Sequence, residues 1–165
     1  MVPPFKLETP VTLETFHSQI KNISMSYPKG WSISNFDDGN HGDKEMIALI
    51  QPHYYGYPYI TIAYTMMTDT SLEEVAKWGE NRIKYTHETF TLDPIDINGR
   101  PALLRAYSYT STLPFINLQK RINCYHTYIV NDHDAYTIEM CVDVENYSKE
   151  LLSLFEQMIK SISFQ

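Results

Sequence analysis

Four tyrosines fall within the seven residues from His53 to Tyr59, and this is the most unusual stretch of the chain. They are Tyr54, Tyr55, Tyr57 and Tyr59. A tyrosine offers a large rigid face and a hydroxyl at a small cost in conformational entropy, so such a segment suits recognition of a protein or a sugar. Aromatic residues also pack well over the edge of a sheet, and that plainer role is the preferred interpretation. The four tyrosines are therefore candidate binding residues with a structural alternative.

The two cysteines, Cys124 and Cys141, flank a turn-type cluster at residues 131–134 that separates two strand-like segments. If these segments pair as a hairpin around the turn, the two cysteines lie directly opposite each other. Directly opposite Cα atoms are about 4.5–5.5 Å apart, within the disulfide range of about 4.4–6.8 Å. A Cys124–Cys141 disulfide is therefore feasible, and two free thiols are the plainer alternative.

The same hairpin register places His126 opposite Glu139 on one face. Tyr125, Thr127 and Ile129 fall on the other face, which we predict to belong to the core. A polar pair across two strands contributes only about 0.2–1 kcal/mol. A general acid–base role for His126 would need a cleft and a shifted pKa. We therefore prefer a structural role for this pair.

Sequence motifs for metal binding and catalysis are absent or incomplete. The loop from Asp37 to Asp43 offers oxygen and imidazole ligands, but its spacing departs from a calcium-binding loop, and a solvated turn is the preferred interpretation. The six histidines include no pair at the spacing of a zinc site. The chain has no Gly-x-Ser-x-Gly, no His-Glu-x-x-His and no phosphate-binding glycine loop. We predict a non-enzymatic protein without a metal or cofactor.

Composition and charge exclude several classes of protein. A chain of 165 residues with 43% hydrophobic residues predicts one domain with a substantial core. The net charge of −7, without a cluster of Lys and Arg, argues against nucleic-acid binding. No apolar stretch approaches the length of a transmembrane helix. The start of the chain lacks the features of a signal peptide, which leaves either the cytoplasm or, after removal of a leader, the cell envelope. The oligomeric state is left open.

The first half of the chain predicts an arm, short strands and a helix. Residues 1–15 are rich in Pro and Thr without apolar periodicity, which predicts an N-terminal arm or tether before a single domain over residues 16–165. Strands are predicted over residues 20–26, 31–36, 46–50 and 59–66. A capping-box pattern at residues 69–74 and apolar residues at helical spacing predict a helix to about Tyr85.

The second half of the chain predicts two hairpins and a final helix. Asn98-Gly99 is a strong hairpin signal between predicted strands over residues 90–97 and 102–110. A loop at 113–118, the cysteine hairpin at 122–142 and a helix from about Tyr147 follow. Hairpin connections rather than repeated βα units predict an α+β fold with a mainly antiparallel sheet.

The segment from Ser26 to Trp31, with Tyr-Pro before Lys29 and Gly-Trp after it, resembles the opening of PsbP-like domains. Four further segments follow in the family's order, at residues 72–84, 97–102, 135–138 and 155–164. The resemblance covers residues 16–164 and depends on the order and spacing of all five segments. It implies an αβα sandwich in which the antiparallel sheet is packed between helices.

The PsbP-like resemblance also implies a mode of action. Members of this family mostly act by binding another protein, include bacterial envelope lipoproteins, and share no active-site motif. The sequence therefore predicts a binding or adaptor module that docks on a protein partner, with the cell envelope as a candidate location. The alternative is a small-ligand or carbohydrate-binding protein that uses the tyrosine-rich segment. A third hypothesis is a hydrolase whose site is assembled from scattered His and Asp residues.

Overall fold

The computed structural model of this chain describes residues 5–18, 21–35, 45–52, 56–83, 86–113 and 116–165. Within these ranges it contains ten strands and two helices. The strands are β1 (Leu13–His17), β2 (Ile23–Pro28), β3 (Ser32–Asn35), β4 (Glu45–Gln51), β5 (Tyr59–Met66), β6 (His87–Ile97), β7 (Arg100–Leu113), β8 (Leu118–Asn131), β9 (Asp134–Asp143) and β10 (Ser163–Phe164). The helices are α1 (Leu72–Asn81) and α2 (Lys149–Lys160). The acidic loop predicted over residues 37–43 lies outside the described residues.

Seven of the strands form one sheet in the order β3-β4-β5-β9-β8-β7-β6, and β1, β2 and β10 form a smaller sheet. Every pair of neighbouring strands is antiparallel. The predicted cysteine hairpin is β8–β9, in the predicted register, with Cys124 opposite Cys141 and His126 opposite Glu139. The prediction of an α+β fold on a mainly antiparallel sheet is therefore confirmed.

The β6–β7 hairpin turns at Asn98 and Gly99, as the sequence predicts. Both residues have positive φ angles, 54° and 82°, which is the backbone of the tight turn that favours Asn-Gly. Strands β7 and β8 are longer than expected, because residues 110–113 pair with residues 118–121 beyond the ends of the neighbouring strands. Within the segment predicted as a loop at 113–118, Leu113 and Leu118 thus pair as strand residues, and residues 116–117 form a turn.

The two helices cover opposite faces of the seven-stranded sheet. Side chains alternate along β8, so the Tyr125 ring lies 6.5 Å from the Phe155 ring of α2, whereas Tyr128 packs against Gly79 of α1. This arrangement confirms the predicted sandwich. The largest apolar core lies on the side of α2 and includes Ile23, Met25, Ile62, Ile138, Phe155 and Met158. Neither of the helices in the described ranges is long and apolar enough to span a membrane.

Helix α1 begins with the predicted capping box. The Glu74 N–H donates to Ser71 Oγ at 3.2 Å, and the Ser71 N–H donates to Glu74 Oε2 at 2.8 Å. These two bonds satisfy backbone donors that the first turn of a helix leaves without partners. Helix α2 begins with a serine N-cap alone, in which Ser148 Oγ accepts from the Leu151 N–H at 3.1 Å.

Strand β1 begins inside the segment predicted as an arm. Leu13 pairs with Pro28 of β2, so residues 13–15 belong to the small sheet. The sequence does not reveal this strand, because only Phe16 is buried among its five residues and no apolar alternation results. Ahead of β1, the ring of Phe5 meets Trp31 edge to face, with 5.8 Å between centroids.

Candidate functional site

The sheet face beneath α1 carries polar and aromatic side chains. Because the register aligns residues across the strands, one row crosses β5, β9, β8 and β7 as Thr61, Glu139, His126 and Arg105. The next row, two residues along each strand, is Tyr59, Cys141, Cys124 and Tyr107. A carboxylate, an imidazole, a guanidinium and two phenols therefore lie side by side on one face.

A cleft of about 190 Å³ lies between α1 and this face of the sheet. Helix α1 borders the cleft with Trp78, Gly79, Arg82 and Ile83. The sheet side includes Tyr59, Tyr107, Tyr109, His126 and Glu139. Tyrosine and tryptophan rings thus form part of the walls, and the Glu139 carboxylate stands among them.

Glu139 is the centre of a hydrogen-bonded network. The Tyr107 hydroxyl donates to Glu139 Oε2 at 2.9 Å, and His126 Nδ1 lies 3.1 Å from the same oxygen. The Tyr128 hydroxyl lies 3.2 Å from His126 Nδ1 and accepts a hydrogen bond from Arg105 Nε at 3.0 Å. The network therefore connects the cleft to the buried guanidinium of Arg105 on the neighbouring strand β7.

Arg105 ties α1 to the sheet. Its Nη2 lies 3.3 Å from Glu80 Oε2 and donates to the Ala76 carbonyl at 3.4 Å, so both contacts are with the helix. Its Nη1 donates to Thr89 Oγ1 at 3.1 Å. A buried guanidinium is stable only when its donors find such acceptors. This anchoring holds α1 at a fixed place over the face that carries Glu139.

Two tyrosines of the cleft, Tyr107 and Tyr109, are neutral phenols at neutral pH. Burial raises the pKa of Tyr107 well above its usual value, and the neighbouring Glu139 carboxylate raises that pKa further. Burial also raises the pKa of Tyr109, and the Tyr57 hydroxyl, 3.4 Å away, adds to the effect. Both phenols therefore keep their protons, and their rings form neutral aromatic walls.

Two of the four predicted binding tyrosines lie beside the cleft. Tyr59 borders it directly. The Tyr57 ring lies 5.4 Å from the Tyr59 ring, and both pack against the cluster around Tyr107 and Tyr109. Tyr54 and Tyr55 lie outside the described residues. In the described part of the tyrosine-rich segment, Tyr57 and Tyr59 thus pack beside the cleft, and Tyr59 lies on the inner strand β5 rather than at a sheet edge.

Cys124 and Cys141 form a disulfide with 2.06 Å between the sulfurs, in the row next to Glu139. Among the described residues, these two cysteines and Glu139 form the group whose potential metal-ligand atoms lie within 4.8 Å of one another. The Glu139 Oε1 atom lies 3.3 Å from Cys141 Sγ. A sulfur in a disulfide is not a thiolate, so this cluster offers a metal one carboxylate rather than three ligands.

The sequence predicted the His126–Glu139 pair and singled out Tyr59 and the two cysteines beside it, but it did not single out the residues of β7 and α1. Arg105, Tyr107 and Tyr109 alternate along β7, which is a signal that they share one face. The family resemblance implied that helices cover the sheet, but no local pattern indicated that this face meets α1, and Trp78 was not singled out. Strand order was the missing information.

Gly79 allows α1 to lie close to the sheet. A Cβ atom at this position would lie 2.2 Å from Cε1 of Tyr128, a fully buried ring whose hydroxyl is held by Arg105. We expect Gly79→Ala to lower the free energy of unfolding by about 1–3 kcal/mol through overpacking. This is the opposite of the usual effect, since alanine favours helix over glycine by about 1 kcal/mol.

Urea unfolding of the wild type and of Gly79→Ala measures the change in the free energy of unfolding. Lys77→Ala, at an exposed position of the same helix, is the matched control and should change stability by less than about 0.5 kcal/mol. A Gly79→Ala protein at least as stable as the wild type would contradict this close packing.

Comparison with known proteins identifies the fold through structure rather than sequence. No family model matches the chain, and no curated protein matches its sequence. The solution structure of cyanobacterial PsbP (CyanoP) from Synechocystis sp. PCC 6803 matches with a TM-score of 0.66 at 10% identity, covering 98% of each chain.

Two further solved structures match over nearly their whole length. The Ran-binding protein Mog1p of Saccharomyces cerevisiae has a TM-score of 0.59 at 10% identity, covering 93% of this chain and 96% of its own. LpqN of Mycobacterium tuberculosis, described as involved in cell envelope biogenesis, has a TM-score of 0.55 at 11% identity, covering 95% and 92%. The chain therefore has the PsbP/Mog1-like fold that the sequence resemblance predicts.

Proposed function

We propose that this protein is a non-enzymatic binding module that docks on a protein partner and accepts one side chain of that partner in the cleft beneath α1. The cleft itself carries the proposal, because it is preformed, aromatic and bordered by both α1 and the sheet. Tyrosine and tryptophan are the residues that most often anchor protein interfaces. The yeast protein of the same fold is a Ran-binding protein, which is in keeping with a docking role.

The size of the cleft favours a side chain over a larger molecule. Sites for drug-sized ligands typically enclose about 300–1,000 Å³, whereas this cleft has about 190 Å³. One long or aromatic side chain fits such a volume. The remainder of an interface would then lie on the surface around the cleft.

The chemistry of the cleft favours binding over catalysis. Tyr128 and Tyr107 are the hydroxyls next to the His126–Glu139 pair. Burial raises the pKa of Tyr128 to about 12, with the Arg105 guanidinium partly opposing the shift. A phenol that holds its proton this firmly is a poor nucleophile. This counts against a tyrosine nucleophile, and we propose that the network holds groups in place.

We place the docking at the cell envelope as part of this proposal. A buried disulfide such as Cys124–Cys141 is typical of proteins outside the reducing cytoplasm. LpqN, of the same fold, is described as involved in cell envelope biogenesis.

Native mass spectrometry of the protein isolated gently from its own source tests the proposal. Ala63→Phe places a ring in the cleft, because Ala63 borders it. Thr110→Phe adds the same ring at an exposed position of β7 and is the matched control. We expect a stoichiometric protein complex with the wild type and with Thr110→Phe, and at least about a 10-fold loss of complex with Ala63→Phe.

Other outcomes of this experiment would change the proposal. A complex that survives Ala63→Phe would mean that the partner does not use the cleft. A small bound mass that Ala63→Phe removes would favour the alternative, a small-ligand or carbohydrate-binding protein. The position of Tyr59 in the cleft wall is the observation that keeps this second function in view.

A further inference from the structure

We propose that the group received by the cleft is a cation, the ammonium or guanidinium end of a Lys or Arg side chain in a basic segment of the partner. This inference rests on the proposed function and specifies the chemistry of the same site. It follows from three features of the described residues: an incompletely bonded carboxylate, the aromatic walls and a cation already stacked at the cleft.

The first feature is the difference between the two oxygens of Glu139. Its Oε2 accepts from the Tyr107 hydroxyl at 2.9 Å and lies 3.1 Å from His126 Nδ1. Its Oε1 lies 3.3 Å from Cys141 Sγ, and a disulfide sulfur has no hydrogen to donate. Within the described part of the chain, Oε1 therefore has no donor. A carboxylate oxygen in a partly closed site gains most from a charged donor.

The second feature is the aromatic surroundings of that carboxylate. Tyr59, Tyr107 and Tyr109 border the cleft together with Trp78 of α1. The faces of tyrosine and tryptophan rings attract cations, and several such rings around one site form the cage that recognises ammonium groups. The phenols of Tyr107 and Tyr109 keep their protons, because burial raises the pKa of both.

The third feature is the arginine at the cleft. The guanidinium carbon of Arg82 lies 5.0 Å from the centroid of the Trp78 ring. The Trp78 ring thus already contacts one guanidinium, that of the C-cap residue of its own helix. The same charge opposes an incoming cation, so removing it should strengthen binding. Arg105, the other guanidinium near the cleft, is engaged with Glu80 of α1.

Binding of small probes to the full chain tests this chemistry. We compare butylammonium and propylguanidinium, which reproduce the ends of Lys and Arg side chains, with uncharged 1-butanol, and follow binding by NMR titration. We expect dissociation constants on the order of 1–10 mM for the two cations. Binding of 1-butanol should be at least about 10-fold weaker.

Three variants assign the effect to particular charges. Glu139→Gln keeps the shape of the side chain and should weaken cation binding by about 10-fold. Arg82→Gln should tighten it by about 2- to 5-fold. Glu156→Gln, at an exposed position of α2, is the matched control and should change nothing. Equal binding of 1-butanol and butylammonium, or cation binding unchanged in Glu139→Gln, would overturn the inference.

Failure of this inference is distinguishable from failure of the proposed function. If the protein complex is lost with Ala63→Phe but keeps its strength with Glu139→Gln, the cleft binds a side chain that is not a cation. If the complex survives Ala63→Phe, the proposed function itself is wrong.

Discussion

We expect the free energy of unfolding to fall steeply when the pH rises above 10, because several of the tyrosines are buried as neutral phenols. Tyr107, Tyr128 and Tyr136 are at most 3% exposed. Burial raises the pKa of all three above the usual value of 10.0, that of Tyr128 to about 12. In the unfolded chain these phenols ionise near pH 10. Their contribution to stability is complete below that pH.

The sign and size of the alkaline effect follow from proton binding. Above pH 10 the unfolded state loses its phenolic protons while the folded state retains them, so the free energy of unfolding falls as the pH rises. Each such tyrosine lowers it by about 1.4 kcal/mol per pH unit. Three of them lower it by about 4 kcal/mol near pH 11, a large part of a typical stability of about 5–15 kcal/mol.

Urea unfolding between pH 8 and pH 11, with phenolate absorbance recorded in parallel, checks this expectation. Tyr128→Phe removes one buried phenol and should reduce the slope above pH 10 by about 1.4 kcal/mol per pH unit. Phe155→Leu is a matched control, because it weakens the core without removing a phenol and should leave the slope unchanged. Equal stability at pH 8 and pH 11 would show that the tyrosines ionise in the folded protein.

We expect loss of the Cys124–Cys141 disulfide to lower the free energy of unfolding by about 3 kcal/mol. The bond closes a loop with a sequence separation of 17 residues. A cross-link over such a loop removes conformational entropy from the unfolded chain, and the chain-entropy relation gives about 3 kcal/mol for this length. Both sulfurs are buried between strands, so replacing them also removes packed atoms.

Urea unfolding of the wild type and of Cys124→Ala/Cys141→Ala, each with and without a reducing dithiol, measures the contribution of the bond. The reductant should destabilise the wild type and leave the double variant unchanged, which separates the bond from the packing of the sulfurs. Titration of the unfolded wild type without reductant should find no thiols. Two titratable thiols there would establish the alternative that the sequence left open.

The elements that the sequence determined depend on residues close together in the chain. The capping box of Ser71 and Glu74 starts α1, because its two bonds supply partners for backbone N–H groups of the first turn. Asn98-Gly99 turns the β6–β7 hairpin, because both residues tolerate the positive φ angles of a tight turn. The register of β8 on β9 follows from the turn between them, and it places His126 opposite Glu139. Strand β1 escaped prediction because most of its side chains are exposed and show no apolar alternation, so its place is set by pairing with β2.

The candidate site depends on pairings between distant segments, and these were decided only by the tertiary structure. Strand β5 lies beside β9, and β7 lies beside β8, so Tyr59 and Tyr107 lie on either side of the disulfide. Alternation along a strand shows which side chains share a face, but it does not specify which strand comes next or which helix covers that face. The cleft exists because the absence of a side chain at Gly79 and the buried charge of Arg105 bring α1 down on this face. Close packing and pairing of a buried charge depend on all the partners at once, and no local sequence pattern encodes them.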